Sequence, residues 1–167
     1  MIRNLEQLYH EQIRDLYSAE TQLIAALPTM VDNATNEDLR MALSDHLAET
    51  RDQLDRLIEI CDSHGIECEG EECEAMKGLI REATKHLQNT EPGEVRDAVI
   101  IASANRVEHY EIAAYGVAKT FAEVLGFDDA AALLDESLEE EATADDTITQ
   151  IATGGIFTTG VNEAANY

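Results

Sequence analysis

The sequence predicts an all-α fold: four long helices packed lengthwise as a bundle, with a long crossover between the second and third carrying an extra short helix. Three observations lead there. Apolar residues recur at alternating three- and four-residue steps through four long segments, the spacing that lines one helical face. The composition leans on Ala, Leu and Ile, with no Trp and two Pro in 167 residues, which suits close-packed helices. Clear breaks fall at Gly65, at Thr90-Glu91-Pro92-Gly93 and at Gly126.

The first helix is expected from about Asn4 to about Asn33. Its seam reads Tyr9, Ile13, Leu16, Glu20, Leu23, Leu27 and Met30, and Glu20 alone breaks the apolar pattern. Pro28 is expected to kink or tighten the last turn. Thr35 offers a cap for a second helix from about Asn36 to His64, with Glu37 and Asp38 favoured in its first turn. Its buried side is read as Leu39, Leu43, His46, Leu47, Leu54, Leu57, Ile60 and Cys61. Residues 65–93 form the crossover, an acidic loop from Glu67 to Glu74 followed by a short helix to about Leu87. A connection that long carries the chain from one end of the bundle to the other, so the second and third long helices run parallel. That topology is ferritin-like.

The third long helix is expected from about Glu94 to Leu125, with the seam Ile101, Ala104, Glu108, Glu111, Tyr115, Ala118, Ala122 and Leu125. The fourth runs from Asp128 to about Ala152. Its inner face has two readings, Leu133-Ser137-Glu140-Ala144-Ile148 or Leu134-Leu138-Glu141-Asp145-Ile148, and the first, with Glu140 inward, is preferred. The bundle is taken as residues 1–153, and 154–167 as an irregular or docked tail rich in Gly, Thr and Asn.

The charge narrows the function classes. Thirty-five acids against eleven Lys and Arg leave a net charge of −24, a poor surface for nucleic acid or anionic membrane. The acids scatter over every helix, as in proteins of a high-salt cytoplasm, and a diffuse cation buffer is the rival reading. No stretch reads as a signal peptide or membrane span, so a cytoplasmic protein is expected. Cys61, Cys68 and Cys73 are an odd number and are expected as reduced thiols; with His64 they match no standard zinc spacing.

Each long helix thus carries a carboxylate on a core stripe: Glu20, Glu49 one turn from His46, Glu108 with Glu111, and Glu140. A buried unpaired carboxylate is neutralised, paired or bound to a cation. A shell of mostly carboxylates with one imidazole suits hard or borderline cations, iron or manganese, and carboxylates can bridge two of them. Helix two reads His-x-x-Glu, the reverse of the usual di-iron order, and Thr143 stands where a second His would follow Glu140.

Longer motifs now become informative: Leu16-Tyr17-Ser18-Ala19-Glu20 with Ala26-Leu27-Pro28, His46-Leu47-Ala48-Glu49-Thr50, Gly93-Glu94-Val95-Arg96-Asp97-Ala98, and above all Val107-Glu108-His109-Tyr110-Glu111-Ile112-Ala113-Ala114-Tyr115-Gly116, with Leu138-Glu139-Glu140-Glu141 closing the match. In these the chain resembles the YciE/YciF family of ferritin-like stress proteins. The resemblance implies a rubrerythrin-like dimetal bundle, a homodimer and a link to stress. It implies Glu20, Glu49, Glu108 and Glu140 as the helix carboxylates, completed by His46 and Glu111. Tyr17 and Tyr115, each one turn from an expected ligand, are candidate redox-active or supporting groups. His109 points off the seam. Three functions stay open: a dimetal oxidoreductase reducing peroxide or dioxygen, a metal-handling protein without turnover, and a metal-free scaffold in which Arg51, Arg56 or Arg106 pairs with the inward acids.

Overall fold

A computed structural model describes residues 1–155 and 158–166. The helices are α1 (Leu5–Asn33), α2 (Glu37–His64), α3 (Glu74–Gln88), α4 (Glu94–Leu125) and α5 (Asp128–Thr153); a two-residue ribbon, β1 (Gly154–Gly155) with β2 (Thr158–Thr159), leads to the short α6 (Val161–Ala164). The fold is all-α and ferritin-like. α1 packs on α2 and α4, and α5 packs on the other sides of α2 and α4, closing the bundle.

Local chemistry sets the boundaries. The Asn4 side chain accepts from the Gln7 N–H and starts α1, and Asn36, not Thr35, does the same for α2 through the Leu39 N–H. Gly65 and Gly126 end α2 and α4 in the left-handed conformation, with φ of 64° and 75°. α1 continues through Pro28, whose ring is exposed near the helix end.

Thr35 has another task. Its N–H and hydroxyl, with the Asn36 N–H, all donate to the buried Asp97 carboxylate at 2.5–2.9 Å. Asp97 lies in the first turn of α4, so the starts of α2 and α4 are tied at one end of the bundle and the two helices run parallel. The crossover is pinned in the same manner. Cys73 caps α3, its N–H donates to Ser18, and its thiol meets the Tyr110 hydroxyl at 3.0 Å and Asp15 at 3.3 Å. Burial raises the Cys73 thiol pKa, consistent with a protonated, structural group.

Two expectations are corrected. Cys61 and Cys68 form a disulfide, with Cα atoms 6.1 Å apart, because the turn after Gly65 folds Cys68 back onto the end of α2; Cys73 alone is free. The tail is not irregular throughout: α6 packs on α4 and α5, and Val161 is buried in the core. Gly160 allows this, since a Cβ there would lie 2.4 Å from the Thr153 carbonyl carbon.

The core lies in two apolar blocks. One gathers Leu23, Leu27, Leu39, Leu43, Ile100 and Ile148 near the Asp97 end. The other gathers Tyr9, Ile13, Leu57, Ile60, Ala122 and Leu134 at the far end. Between them every long helix presents buried polar groups: Glu20; His46, Thr50 and Gln53; Glu108 and Glu111; Ser137 and Glu141.

Candidate metal centre

The polar layer is a product of helical register. On α2 the inner residues are Leu39, Leu43, His46, Thr50, Gln53, Leu57 and Ile60, an unbroken alternation of four and three. Thr50 and Gln53 occupy positions that hydrophobicity alone assigns to Leu47 and Leu54, which are half-buried. On α5 the inner residues are Leu134, Ser137, Glu141, Ile148 and Ala152. This seam takes Ser137 from one sequence reading and Glu141 from the other.

His46, Glu108, Glu111 and Glu141 each offer one donor atom, and these atoms lie within 4.8 Å of one another, all from buried residues. His46 Nε2 is 3.5 Å from Glu108 Oε1. Glu20 is fully buried beside them; its Oε1 accepts the Tyr115 hydroxyl at 2.5 Å, while Oε2 has no hydrogen-bond partner among the described residues. Glu49 stands at the edge, its side chain 44% exposed and its Oε2 3.8 Å from His46 Nδ1.

Glu140, the preferred inward residue of α5, faces elsewhere. Its two oxygens take the Arg56 guanidinium at 2.6 and 2.7 Å, on the α2–α5 side of the bundle. Glu141 holds the inner position. Gln53 bridges the neighbours, donating to Glu141 Oε1 at 2.5 Å and to Glu140 Oε2 at 3.1 Å. Gln53 went unread in the sequence because it is polar, though strict four–three counting from Leu39 reaches it. Tyr115 is fully buried against Glu20. Tyr17 is half-buried and lines a surface groove with Thr21 and the crossover residues Glu69 to Glu72. His109 is 69% exposed and pairs with Asp145.

The electrostatics of this layer are unfavourable without a cation. Burial, then the neighbouring Glu141 charge, pushes the Glu20 carboxyl up to about 8. Burial raises Glu108 and Glu111 well above the usual carboxylate range, with Glu141 adding to the first and Glu20 and Glu141 to the second. Burial opposes a charge on His46, but Glu49, Glu141 and Glu20 outweigh it and its pKa rises. Burial and the Glu20 charge hold the Tyr115 phenol protonated.

No arginine offsets these acids among the described residues. Arg56 is committed to Glu140 and Glu136, Arg106 approaches Glu82, and Arg51 is exposed. Nine buried side-chain polar atoms lack a hydrogen-bond partner among the described residues, and eight belong to this layer. Folded proteins rarely leave such atoms unpaired. Both His46 ring nitrogens and both Glu111 oxygens are among them. Orphaned ligand atoms converging from four helices, rich in carboxylate oxygen with one imidazole, fit a hard or borderline metal cation.

The fold and site together define a class: a ferritin-like four-helix bundle whose core is crossed by a carboxylate–imidazole layer able to hold a metal ion. The chain belongs to the family described as a domain of unknown function, DUF892, whose profile matches residues 4–165. It is 41% identical to protein YciF of Escherichia coli K12 over 164 residues, 98% of this chain and 99% of that one. The crystal structure of the E. coli stress protein YciF superposes with a TM-score of 0.86 at 43% identity, covering 89% of this chain and 94% of the other. YcfI of Rhodopseudomonas palustris, provisionally described as structural, gives a TM-score of 0.87 at 41% identity, covering 90% and 96%. No helix among the described residues is long and apolar enough to cross a membrane.

Proposed function

We propose that this protein is a carboxylate-bridged dimetal protein, holding two ions of iron or manganese, that protects against oxidative stress by reducing peroxide or dioxygen. The observation that carries the reading is the set of orphaned, mutually repelling buried donors on His46, Glu108, Glu111 and Glu141 with Glu20 beside them. Those five residues would hold the ions, and Glu49, at the solvent edge next to His46, would complete the shell. Two such ions, when bound in the divalent state, would supply one electron each to the oxidant, and an external reductant would restore them.

The chain's own groups do the rest. Tyr115 orients Glu20 by its hydrogen bond and keeps a phenol within the layer. Gln53 orients Glu141, and through Glu140 it is linked to Arg56, so the α5 carboxylate is held from α2. The apolar blocks close the layer off towards the two ends of the bundle, so solvent meets it from the side, at Glu49. The proposed state is a homodimer, with Val117 and Val124, exposed a heptad apart on α4, as an apolar stripe for the second copy.

The test is elemental mass spectrometry of protein purified without chelator, beside Glu108→Ala and Glu141→Ala. About two iron or manganese ions per chain, lost in both variants, is the expected outcome. Absence of bound metal after anaerobic ferrous loading in high salt refutes the reading. Retained iron that never cycles with peroxide or dioxygen and a reductant selects metal handling without turnover.

A further inference from the structure

Two openings of opposite character reach His46. Between α2 and α5 lies a cleft of about 140 Å³ lined by Asp45, Glu49, Thr143 and Thr147 as well as His46. Among α1, α3 and α4, with Leu43 and His46 of α2, lies a cavity of about 40 Å³ whose inner end is His46 with Glu108. Its walls there are Leu43, Ile100 and Val107, all buried. Its outer end is Met30, Ile80 and Ala104, all half-buried, so it approaches the surface. Among the described residues Ser103 is the only other polar side chain in the lining, and its hydroxyl proton is already donated to the Val99 carbonyl at 2.8 Å.

We propose that this apolar cavity is a binding site for a small apolar gas, dioxygen, next to the proposed metal ligands His46 and Glu108. Three properties argue for that occupant. The volume exceeds the roughly 10–15 Å³ that one water needs, so there is room for a diatomic molecule. Beyond the inner end at His46 and Glu108, the walls give a water or a peroxide almost nothing to bond, whereas apolar cavities stay dry and take up xenon. A peroxide, with two hydroxyl donors to satisfy, is better served by the carboxylates and hydroxyls of the α2–α5 cleft. The cavity therefore distinguishes the two oxidants by polarity, and it selects dioxygen on the α1–α3–α4 side. Its part in oxidation rests on the metal-centre reading; the gas site itself does not.

Xenon NMR on the metal-free protein tests the site directly, with Ala104→Leu and Ala83→Leu filling the cavity from α4 and α3. A saturable xenon shift in wild type, lost in whichever variants keep the wild-type circular dichroism and melting behaviour, is expected. Ferrous-loaded protein is then oxidised in stopped flow, two ferrous ions giving two electrons that, with two protons, take dioxygen to hydrogen peroxide or hydrogen peroxide to two waters. The ratio of dioxygen rate to peroxide rate should fall at least tenfold in a folded, xenon-excluding variant. No xenon binding to wild type overturns the proposal, as does an unchanged rate ratio once xenon is excluded. If the protein takes up no ferrous iron, the metal-centre reading fails and the xenon result alone decides the gas site.

Discussion

The metal-free protein should lose stability as pH rises through the neutral range, the opposite of what most carboxylates impose. Glu20 carries the calculation. Its carboxyl moves from 4.5 to about 8 on folding, because burial and the Glu141 charge penalise ionisation. The folded state therefore keeps a proton that the unfolded chain releases above about pH 4.5. Stability from this group is complete below that pH and declines until about pH 8. At 1.36 kcal/mol per unit, Glu20 alone removes about 3 kcal/mol between pH 4.5 and pH 7. Glu108 and Glu111, raised in the same direction, add to the slope. The assay is urea unfolding at pH 5, 6, 7 and 8, in high salt to screen the −24 surface charge. Glu20→Gln is the control, since a neutral amide cannot ionise; its apo protein should show a shallower slope and exceed wild type at pH 8. Saturating metal should reverse the trend, because ligation needs deprotonated donors, and should add about 2.7 kcal/mol at a hundredfold excess over Kd. A flat or rising apo stability from pH 5 to 8, or an identical slope in Glu20→Gln, would refute the reasoning.

Three further outcomes are expected. Tyr115→Phe removes the donor to Glu20 without changing shape, leaves a second orphaned oxygen there, and should cost about 1–3 kcal/mol by chemical unfolding. Asp97→Ala strands three donors where α2 and α4 meet and should cost about 3 kcal/mol, with hydrogen exchange rising first at Thr35 and Asn36. Gly160→Ala forces a Cβ against the end of α5, and should release α6 and expose Val161, seen as faster exchange over 158–166 with α1–α4 unchanged.

The sequence by itself determined the four long helices, the crossover with its short helix, and the inward placement of Glu20, His46, Glu108 and Glu111. Each of these polar residues interrupts an otherwise apolar stripe, and one helix's periodicity is enough to place such a residue. The tertiary structure alone decided three things. It put Glu141, not Glu140, in the layer, because adjacent residues differ by about 100° around a helix and the small, acidic surface of α5 fits two seams. The choice was made from α2, where Arg56 draws Glu140 out and Gln53 meets Glu141. It joined Cys61 to Cys68, a pairing set by a turn that brings two Cα atoms to 6.1 Å. It set Tyr115 on Glu20 while leaving Tyr17 at a surface groove, though each lies one turn from an expected ligand in sequence. Periodicity reports which face of a helix is buried; the partner across the bundle determines which atom each buried group meets.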